Sequence, residues 1–422
     1  MSLKSTTLFR LSLVGVSIAG WSAVAIGDCS LTSTGLPPLN DLGVRSYKGV
    51  VGGLYPGGVN NPPLAHRTAG MDRATNQIKP RNSAGTIDLV NGKIVLISIG
   101  MSNTTQEFSQ FVSLANSDPS RNSQLVIVDG AQGGQDSSTW INPSAPTWNT
   151  VNSRLTNAGV TPAQVQVAWV KQARAHPNML GAFPVHAQTL QSDLETIARN
   201  LKSNYPNIQI AYFSSRTRAY TNDAATLNPE PFAYEGAFSV RWMIENQING
   251  IANLNFDPNK GTAVAPWLAW GPYLWTDGTR GRSDGFTWLC SDLQSDFTHP
   301  SANGVSKVDQ QLLAFFKTQA TAAPWFLRST SQPPICTAGA TPAGGTAPLT
   351  VNFSASATSS GHSIVQYAWT FDDGDFSFAQ NPMKNFPTAG IYNARLSVSD
   401  DAGNTVTKTI PIKVVGSQAD PL

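Results

Sequence analysis

The sequence predicts an α/β protein with a doubly wound, mostly parallel sheet, followed by a small all-β sandwich. Two observations support this fold class. Between about residues 93 and 319, strand-like apolar runs alternate with amphipathic helical runs, a pattern typical of parallel strands joined by helical crossovers. From residue 348 to 415 the runs become short and alternating, and turn signals such as DDGD and DAGN separate them. That second pattern predicts antiparallel strands.

Four buried strands are predicted in the first part of the chain. They are KIVLISI (93–99), QLVIVDG (124–130), VQVAWV (165–170) and IQIAYFSS (208–215). Apolar residues at helical spacing predict four helices, over residues 103–116, 186–205, 239–251 and 301–319. The stretch from 28 to 90 is rich in Gly, Pro and Asn, so we expect an irregular lead-in that covers part of the α/β domain.

The N-terminal segment has the pattern of a secretory signal peptide. Lys4 and Arg10 precede or flank the apolar stretch LSLVGVSIAGW, and small residues follow in SAVAIG. Asp28 before Cys29 argues against a lipoprotein signal, so we expect a soluble secreted protein, extracellular or periplasmic. The predicted segments are therefore a signal peptide at 1–27, an α/β domain with its lead-in at 28–332, and a sandwich with its linker at 333–422.

Charge and cysteine content narrow the expected partners. Loss of Lys4 and Arg10 with the signal peptide lowers the formal net charge from +2 to zero. A neutral surface does not attract nucleic acid or an anionic membrane, so we expect neither as a partner. The five histidines are scattered and the cysteine spacing fits no zinc motif, so we expect no metal and no cofactor. After export, Cys290 is expected to pair with Cys29 as first choice, or with Cys336.

Polar residues follow the predicted strands, where the reacting groups of a doubly wound sheet collect. Ser102 comes after the first strand and a turn at Gly100, the stretch DGAQGGQ (129–135) ends the second strand, and Lys171-Gln172 ends the third. A serine at a strand end is either a plain helix N-cap or a nucleophile. The second possibility requires a base.

The stretch DFTHPS, before the last predicted helix, supplies a candidate base. Asp296 lies three residues before His299. In a tight turn, this carboxylate can accept a hydrogen bond from the imidazole ring, which fixes the tautomer and stabilises the imidazolium. The alternative is a histidine near a helix start with an unrelated acid beside it.

Taken together, SIGMSN, DGAQGG and DFTHPS resemble the sequence blocks of the SGNH, or GDSL-like, hydrolases over about residues 93–317. The resemblance implies that Ser102 is the nucleophile, His299 the base and Asp296 its orienting carboxylate. It also implies acyl transfer through an acyl-enzyme, followed by hydrolysis without a metal.

The resemblance also implies an oxyanion hole. Its donors would be the backbone N–H groups of Ser102 and Gly134, with Gly133 as the fallback for the latter. The third block reads WVKQA where the family usually has Gly-x-Asn-Asp, so Gln172 is the candidate for a third donor and Asn103 the alternative. Met101 also stands where the family often has Asp.

The C-terminal segment YAWTFDDGDFSFAQNPMKNFPTAGIYNARLSVSDDAGN resembles a PKD domain. Such modules occur on secreted enzymes that degrade polysaccharides and proteins. The resemblance implies possible polysaccharide contact through this domain, and a spacer role is the alternative. We expect Trp369 to lie in the core of the sandwich rather than to serve as a sugar platform.

Three further features allow two readings each. Arg216 and Arg218 either line the cleft or are solvated or paired with acids. The stretch PWLAWGPYLW (266–275) forms either core or an aromatic subsite. Glu230 and Glu235 would suggest a glycosidase, but no second acid at a strand end completes such a pair.

The function that the sequence favours is a secreted serine esterase that removes acyl groups, chiefly acetyl, from carbohydrate or polysaccharide. One alternative is a lipase or general carboxylesterase. The other is a catalytically inactive polysaccharide-binding protein.

Overall fold

The computed structural model describes residues 27–224, 227–328, 333–359, 362–400 and 404–416. The chain divides into two units, one that ends at Leu327 and one that begins at Arg328, beside the sequence-predicted boundary at 332/333. The predicted signal peptide lies outside the described residues except for Gly27. No helix within the described ranges is long and apolar enough to cross a bilayer.

A five-stranded parallel sheet forms the centre of the first unit. Its strands run in the order β2-β1-β3-β4-β5, and they are β1 (Ile94–Gly100), β2 (Leu125–Val128), β3 (Val165–Lys171), β4 (Ile210–Ser214) and β5 (Trp267–Trp270). Every residue of β1, β3 and β4 is buried, because helices cover both faces of the sheet. The predicted doubly wound fold class is confirmed. The fifth strand, which the sequence did not predict, comes from the tryptophan-rich stretch.

The longer helices are α1 (Leu64–Asp72), α2 (Ser102–Ser117), α3 (Pro146–Asn157), α4 (Val185–Asn204), α5 (Phe232–Ile248) and α6 (Ala302–Thr318). Helices α2 and α6 pack on one face, where Phe111 contacts Phe316. Helices α3, α4 and α5 pack on the other face. The pattern analysis missed α1 and α3, since both are rich in polar residues.

The N-terminal lead-in is irregular, as predicted, and is held by specific bonds. It contains a short helix, Leu39–Leu42, and a two-stranded ribbon, Ser46–Tyr47 with Val50–Val51. The buried Asp277 carboxylate accepts hydrogen bonds from Ser33 and Thr34. The disulfide Cys29–Cys290 then joins the lead-in to the segment that precedes Asp296, so the first-choice pairing is confirmed.

The second unit is a sandwich of two sheets. Its strands are β6 (Ile335–Thr341), β7 (Gly344–Thr346), β8 (Leu349–Thr358), β9 (Ile364–Phe371), β10 (Phe376–Ser377), β11 (Met383–Phe386), β12 (Gly390–Asp400) and β13 (Thr405–Val415). One sheet has the order β11-β8-β6 and the other β10-β9-β12-β13-β7, with antiparallel pairs except β13–β7. Trp369 is fully buried against Phe353, which confirms its prediction as a core residue.

The tryptophan-rich stretch is also core. Trp267, Trp270 and Trp275 are each at most 3% exposed. Their indole N–H groups donate to protein acceptors, for example from Trp275 to the Glu230 carboxylate at 2.8 Å. This stretch therefore does not form an aromatic sugar platform.

The disulfide yields the first prediction. It joins residues 261 apart in sequence, so it restricts the unfolded chain strongly. Replacing both Cys29 and Cys290 by alanine should lower the free energy of unfolding by up to about 5 kcal/mol on chain-entropy grounds. Unfolding in guanidinium chloride measures the change in the free energy of unfolding. The Cys336→Ala variant is the control, and an equal loss of stability in that variant would contradict the explanation.

Candidate functional site

The carboxyl ends of three strands lie at the same level of the sheet. Gly100 of β1 pairs with Lys171 of β3, which in turn pairs with Ser214 of β4. The residues that follow these strands therefore meet at one edge of the sheet. A Cβ at Gly100 would come within 2.3 Å of the Thr104 hydroxyl oxygen, so a glycine permits this tight entry into α2.

Ser102, His299 and Asp296 form a continuous hydrogen-bonded series. The Ser102 Oγ is 2.6 Å from His299 Nε2, and His299 Nδ1 is 2.5 Å from Asp296 Oδ2. An ionised carboxylate only accepts hydrogen bonds, so Nδ1 carries the ring proton and Nε2 is left as an acceptor for the serine hydroxyl. This arrangement can deprotonate Ser102 and stabilise the resulting imidazolium.

The turn that carries His299 is shaped by local hydrogen bonds. Asp296 Oδ1 accepts from the backbone N–H groups of Thr298 at 3.0 Å and His299 at 2.9 Å. Phe297 between them has φ +60°, in the left-handed region that a non-glycine residue adopts at some energetic cost. The reversal brings the carboxylate back to the imidazole ring three residues later.

Hydrogen bonds keep Asp296 ionised. Burial acts to raise the pKa of Asp296, but the bonds donated by the His299 backbone, the His299 ring and the Thr298 backbone outweigh it and hold the pKa below its ordinary value. The carboxylate is therefore negatively charged at neutral pH.

The turn that carries His299 is also attached to helix α2. Asn103, directly after Ser102, donates its side-chain amide to the Thr298 carbonyl at 3.0 Å. Asn103 was the alternative oxyanion donor in the sequence analysis. In the structure its amide instead joins the start of α2 to the turn that carries His299.

The glycine loop lies beside the serine. A Cβ built on Gly133 would be 3.8 Å from the Ser102 Cβ, and Gly134, with φ +74°, lines the same cleft. The loop is fixed at its base by Asp129, which the sequence analysis did not single out. Its carboxylate accepts from four groups, the hydroxyls of Ser98, Thr105 and Ser109 and the backbone N–H of Ala131.

Gln172 lies close to this loop but not in the cleft wall. It is 3% exposed, and its amide donates to the Gln135 carbonyl at 3.4 Å. The structure therefore directs this amide at the glycine loop rather than at the serine. An amide orientation of this kind depends on a partner 37 residues away, which spacing along the chain does not reveal.

A buried ion pair lies under the site. Lys171, at the end of β3, contacts both carboxylate oxygens of Glu107 on α2. Burial raises the pKa of Glu107 and lowers the pKa of Lys171, while their mutual attraction acts in the opposite direction. The pair joins β3 to α2, together with the bond from the Thr104 hydroxyl to the Lys171 carbonyl at 2.8 Å.

The serine and the histidine open into a cleft of about 350 Å³. Its walls combine apolar and polar side chains, namely those of Met101, Ser102, Asn103, Asp136, Ala175, Arg216, Leu227, Asn228, Thr298 and His299, together with Gly134. Within the described part of the chain, no group of three or more His, Cys, Asp or Glu residues is arranged to hold a metal ion.

The two arginines of the stretch SSRTRAY have different positions. Arg216 lines the cleft. Arg218 donates to the carbonyls of Leu31 and Thr32 and lies 3.9 Å from Asp277, so it holds the lead-in. Of the two alternatives that the sequence allowed, Arg216 therefore lines the cleft and Arg218 is paired.

Glu230 and Glu235 both belong to internal networks rather than to the cleft. Glu235 accepts from Tyr47 at 2.5 Å, His186 at 2.6 Å and Lys48 at 2.9 Å, and so fixes the ribbon of the lead-in to α4 and α5. Glu230 accepts from the Trp275 indole and from two backbone N–H groups. Neither acid is placed to serve a glycosidase.

Comparison with known proteins identifies the second unit. Residues 331–414 match the family model described as PKD domain. Among solved structures, the chain is similar to the PKD1 domain of Vibrio anguillarum Epp, with 30% identity over 20% of this chain and 95% of that chain and a TM-score of 0.18.

Two further solved structures are similar over different lengths. Carbohydrate-binding modules from the beta-sandwich superfamily match with 25% identity and a TM-score of 0.20, over 21% of this chain and 37% of that chain, so the match spans about a third of their length. A protein of Bacteroides fragilis NCTC 9343, provisionally named an acylhydrolase, matches with 13% identity and a TM-score of 0.31 over 59% of this chain and 93% of that chain. TM-scores this low do not establish an activity for this chain.

Glu230 yields a prediction about stability and pH. Burial raises its pKa from 4.5 to about 7, despite the opposing hydrogen bonds from Trp275, Ala219 and Tyr234. The folded state therefore binds this proton more tightly than the unfolded state. The corresponding stability is fully present below pH 4.5 and should fall by about 3 kcal/mol as the pH rises through 7.

The Glu230→Gln variant should lack this part of the pH dependence. The measurement is the free energy of unfolding from pH 4.5 to 8 for the native chain and the variant, compared as a difference. Glu245→Gln, at a carboxylate on α5 whose side chain is 31% exposed, is the control substitution. A profile in Glu230→Gln that is parallel to that of the native chain would contradict the prediction.

Proposed function

We propose that this protein is a secreted serine esterase of the SGNH, or GDSL-like, type that removes acyl groups, chiefly acetyl, from carbohydrate. The observation that carries the proposal is the series from Ser102 through His299 to Asp296 at the wall of an open cleft. A serine that serves only as a helix N-cap does not require a histidine nitrogen 2.6 Å from its hydroxyl oxygen. It also does not require a carboxylate hydrogen-bonded to the other nitrogen of that histidine.

In the proposed reaction, His299 Nε2 takes the proton of the Ser102 hydroxyl as the Oγ attacks the ester carbonyl. The tetrahedral intermediate collapses to an acyl-enzyme, and the imidazolium gives its proton to the departing alcohol. Water then attacks the acyl-enzyme with His299 again as the base. The carboxylic acid leaves and Ser102 regains its proton.

The proposed oxyanion donors are the backbone N–H groups of Ser102 and Gly134. Ser102 is the first residue of α2, and the first N–H groups of a helix have no acceptor within the helix. Gly134 lines the cleft, and a Cβ built on it would meet nothing within 4 Å. Gln172, the third donor in the sequence analysis, lies outside the cleft wall and donates its amide to the Gln135 carbonyl, so we propose that it positions the glycine loop.

The cleft favours a small acyl group on a polar alcohol. Its volume of about 350 Å³ lies near the lower end of the range for ligand sites. Five of its lining side chains carry polar or charged groups besides the serine and the histidine: Asn103, Asp136, Arg216, Asn228 and Thr298. A lipase would instead require a long apolar channel for the acyl chain.

The PKD-like unit and the predicted signal peptide support an extracellular polymer as the substrate. We propose that the sandwich contacts polysaccharide and so raises the local concentration of ester groups near the cleft. The large aromatic side chains of its core, Trp369 among them, are buried and do not take part in this contact.

The nucleophile assignment predicts that Ser102→Ala and His299→Ala each lower kcat on 4-nitrophenyl acetate by about 10³-fold or more, because residues that act as a unit fail together. Labelling by a fluorophosphonate probe should occur in the native chain and be lost in Ser102→Ala. Ser113→Ala, an exposed serine on the same helix, is the control. Turnover or labelling that persists in a folded Ser102→Ala variant would overturn the proposal.

The oxyanion assignment predicts the effect of Gly134→Ala. An added Cβ would meet nothing within 4 Å, but φ +74° is strained for alanine, so the loop is expected to relax and move its N–H. We expect kcat to fall by about 10²-fold with KM little changed.

A matched control is Gly159→Ala, because Gly159 has φ +73° and equally open surroundings but lies outside the cleft. It should lose similar stability and keep its activity. Equal kcat values in the two variants would show that the conformation of Gly134 does not matter for catalysis.

A further inference from the structure

Arg216 is a charged residue in the cleft wall that the proposed reaction does not use. It follows β4 by two residues and lines the cleft together with Ser102 and His299. The residue is only 7% exposed, so most of its side chain is removed from bulk water. The sequence left open whether Arg216 lines the cleft or is solvated or paired with acids. No step of the proposed acyl transfer requires a cation at this position.

Among the described residues, the guanidinium of Arg216 has no hydrogen-bond or ion-pair partner. No described residue accepts a hydrogen bond from it, no described carboxylate lies within 4.0 Å, and its Nε–H is buried without an acceptor. Burial lowers the pKa of Arg216, and the carboxylates of Glu107, Glu230 and Asp296 act against this only through space. Glu107 is bound to Lys171 and Asp296 to His299, so both are already engaged.

The other buried arginines of this unit are bonded through their terminal nitrogens. Arg218 donates to two backbone carbonyls, Arg241 donates to the Val51 carbonyl, and Arg282 pairs with Asp284 at 2.6 Å. A buried charge without a partner is unfavourable. Removal of one member of a buried ion pair typically destabilises the folded protein, because the other charge is left without a partner. The unpaired fork of Arg216 is therefore best explained by a group that arrives with the substrate.

A guanidinium fork matches a carboxylate in shape, because two parallel N–H groups can donate to its two oxygens. The cleft is small, about 350 Å³, so a group that reaches both Arg216 and Ser102 must carry its charge close to its ester. A single sugar ring that bears an acyl group and a carboxylate satisfies both conditions.

We propose that Arg216 binds a carboxylate of the substrate, and that the preferred substrates are acylated uronic acids rather than acylated neutral sugars. This inference rests on the proposed esterase function and narrows its substrate class. Arg216 is then a specificity residue. It contributes to binding of the substrate and of the transition state alike, so its loss should appear mainly in KM.

The experiment uses the full chain and pairs of substrates that differ only in charge. Per-O-acetylated methyl uronosides of the gluco, galacto and manno series are each compared with the corresponding uronamide, and acetate release is measured. We expect kcat/KM for the best uronoside to exceed that for its uronamide by at least tenfold. In Arg216→Met the ratio should fall to about one, mostly through KM.

Arg174→Met is the matched control, because Arg174 is an arginine of the neighbouring loop that is paired with Asp193 and is absent from the cleft wall. It should keep the preference. If Arg216→Met does not fold, Arg216→Lys replaces it; this variant retains the charge but not the planar fork and should lose most of the preference.

The outcomes separate the two proposals. If no pair shows a preference in the native chain while Ser102-dependent hydrolysis is present, the carboxylate site is wrong and the esterase function stands. A preference that survives in folded Arg216→Met or is unchanged in Arg216→Lys also overturns the assignment. If neither these esters nor 4-nitrophenyl acetate are hydrolysed and the fluorophosphonate does not label Ser102, both proposals fail.

Discussion

Strands β1, β3 and β4 end at the same level of the sheet, and the rest of the site depends on this constraint. The pairs Gly100–Lys171 and Lys171–Ser214 bring three chain reversals to one edge of the sheet. Paired polar groups on these strands fix the register, since a slip would separate Lys171 from Glu107 and Ser98 from Asp129. Ser102 and Arg216 are neighbours in the cleft for this reason.

The remaining parts are attached to this edge by polar bonds rather than by apolar packing alone. Asn103 holds the turn that carries His299, Asp129 holds the glycine loop, and the Lys171–Glu107 pair holds α2 to β3. Each bond joins two segments that differ in sequence position by more than 20 residues. Because buried polar groups are costly unless they are paired, these contacts specify one arrangement of the loops.

The sequence was most informative where structure is local. Long apolar runs predicted the strands that are buried on both faces, and the three-residue spacing of Asp296 and His299 predicted a contact that the turn makes within itself. Spacing does not reveal contacts between distant segments. It could not show that Gln172 turns toward Gln135, that Lys171 meets Glu107, or that Arg218 is bonded while Arg216 is not. The polar helix α3 and the short strand β5 were missed because their patterns are weak.

The charges around the cleft also bear on the proposed chemistry. As Ser102 attacks in the proposed reaction, His299 takes its proton and becomes an imidazolium. Asp296 stabilises this positive charge, because its carboxylate faces the imidazole ring directly. A substrate carboxylate bound at Arg216 would in turn neutralise the guanidinium. Each positive charge in the cleft would then face its own carboxylate, one from the protein and one from the substrate, so that recognition of the acidic sugar and activation of the serine are carried out by separate groups.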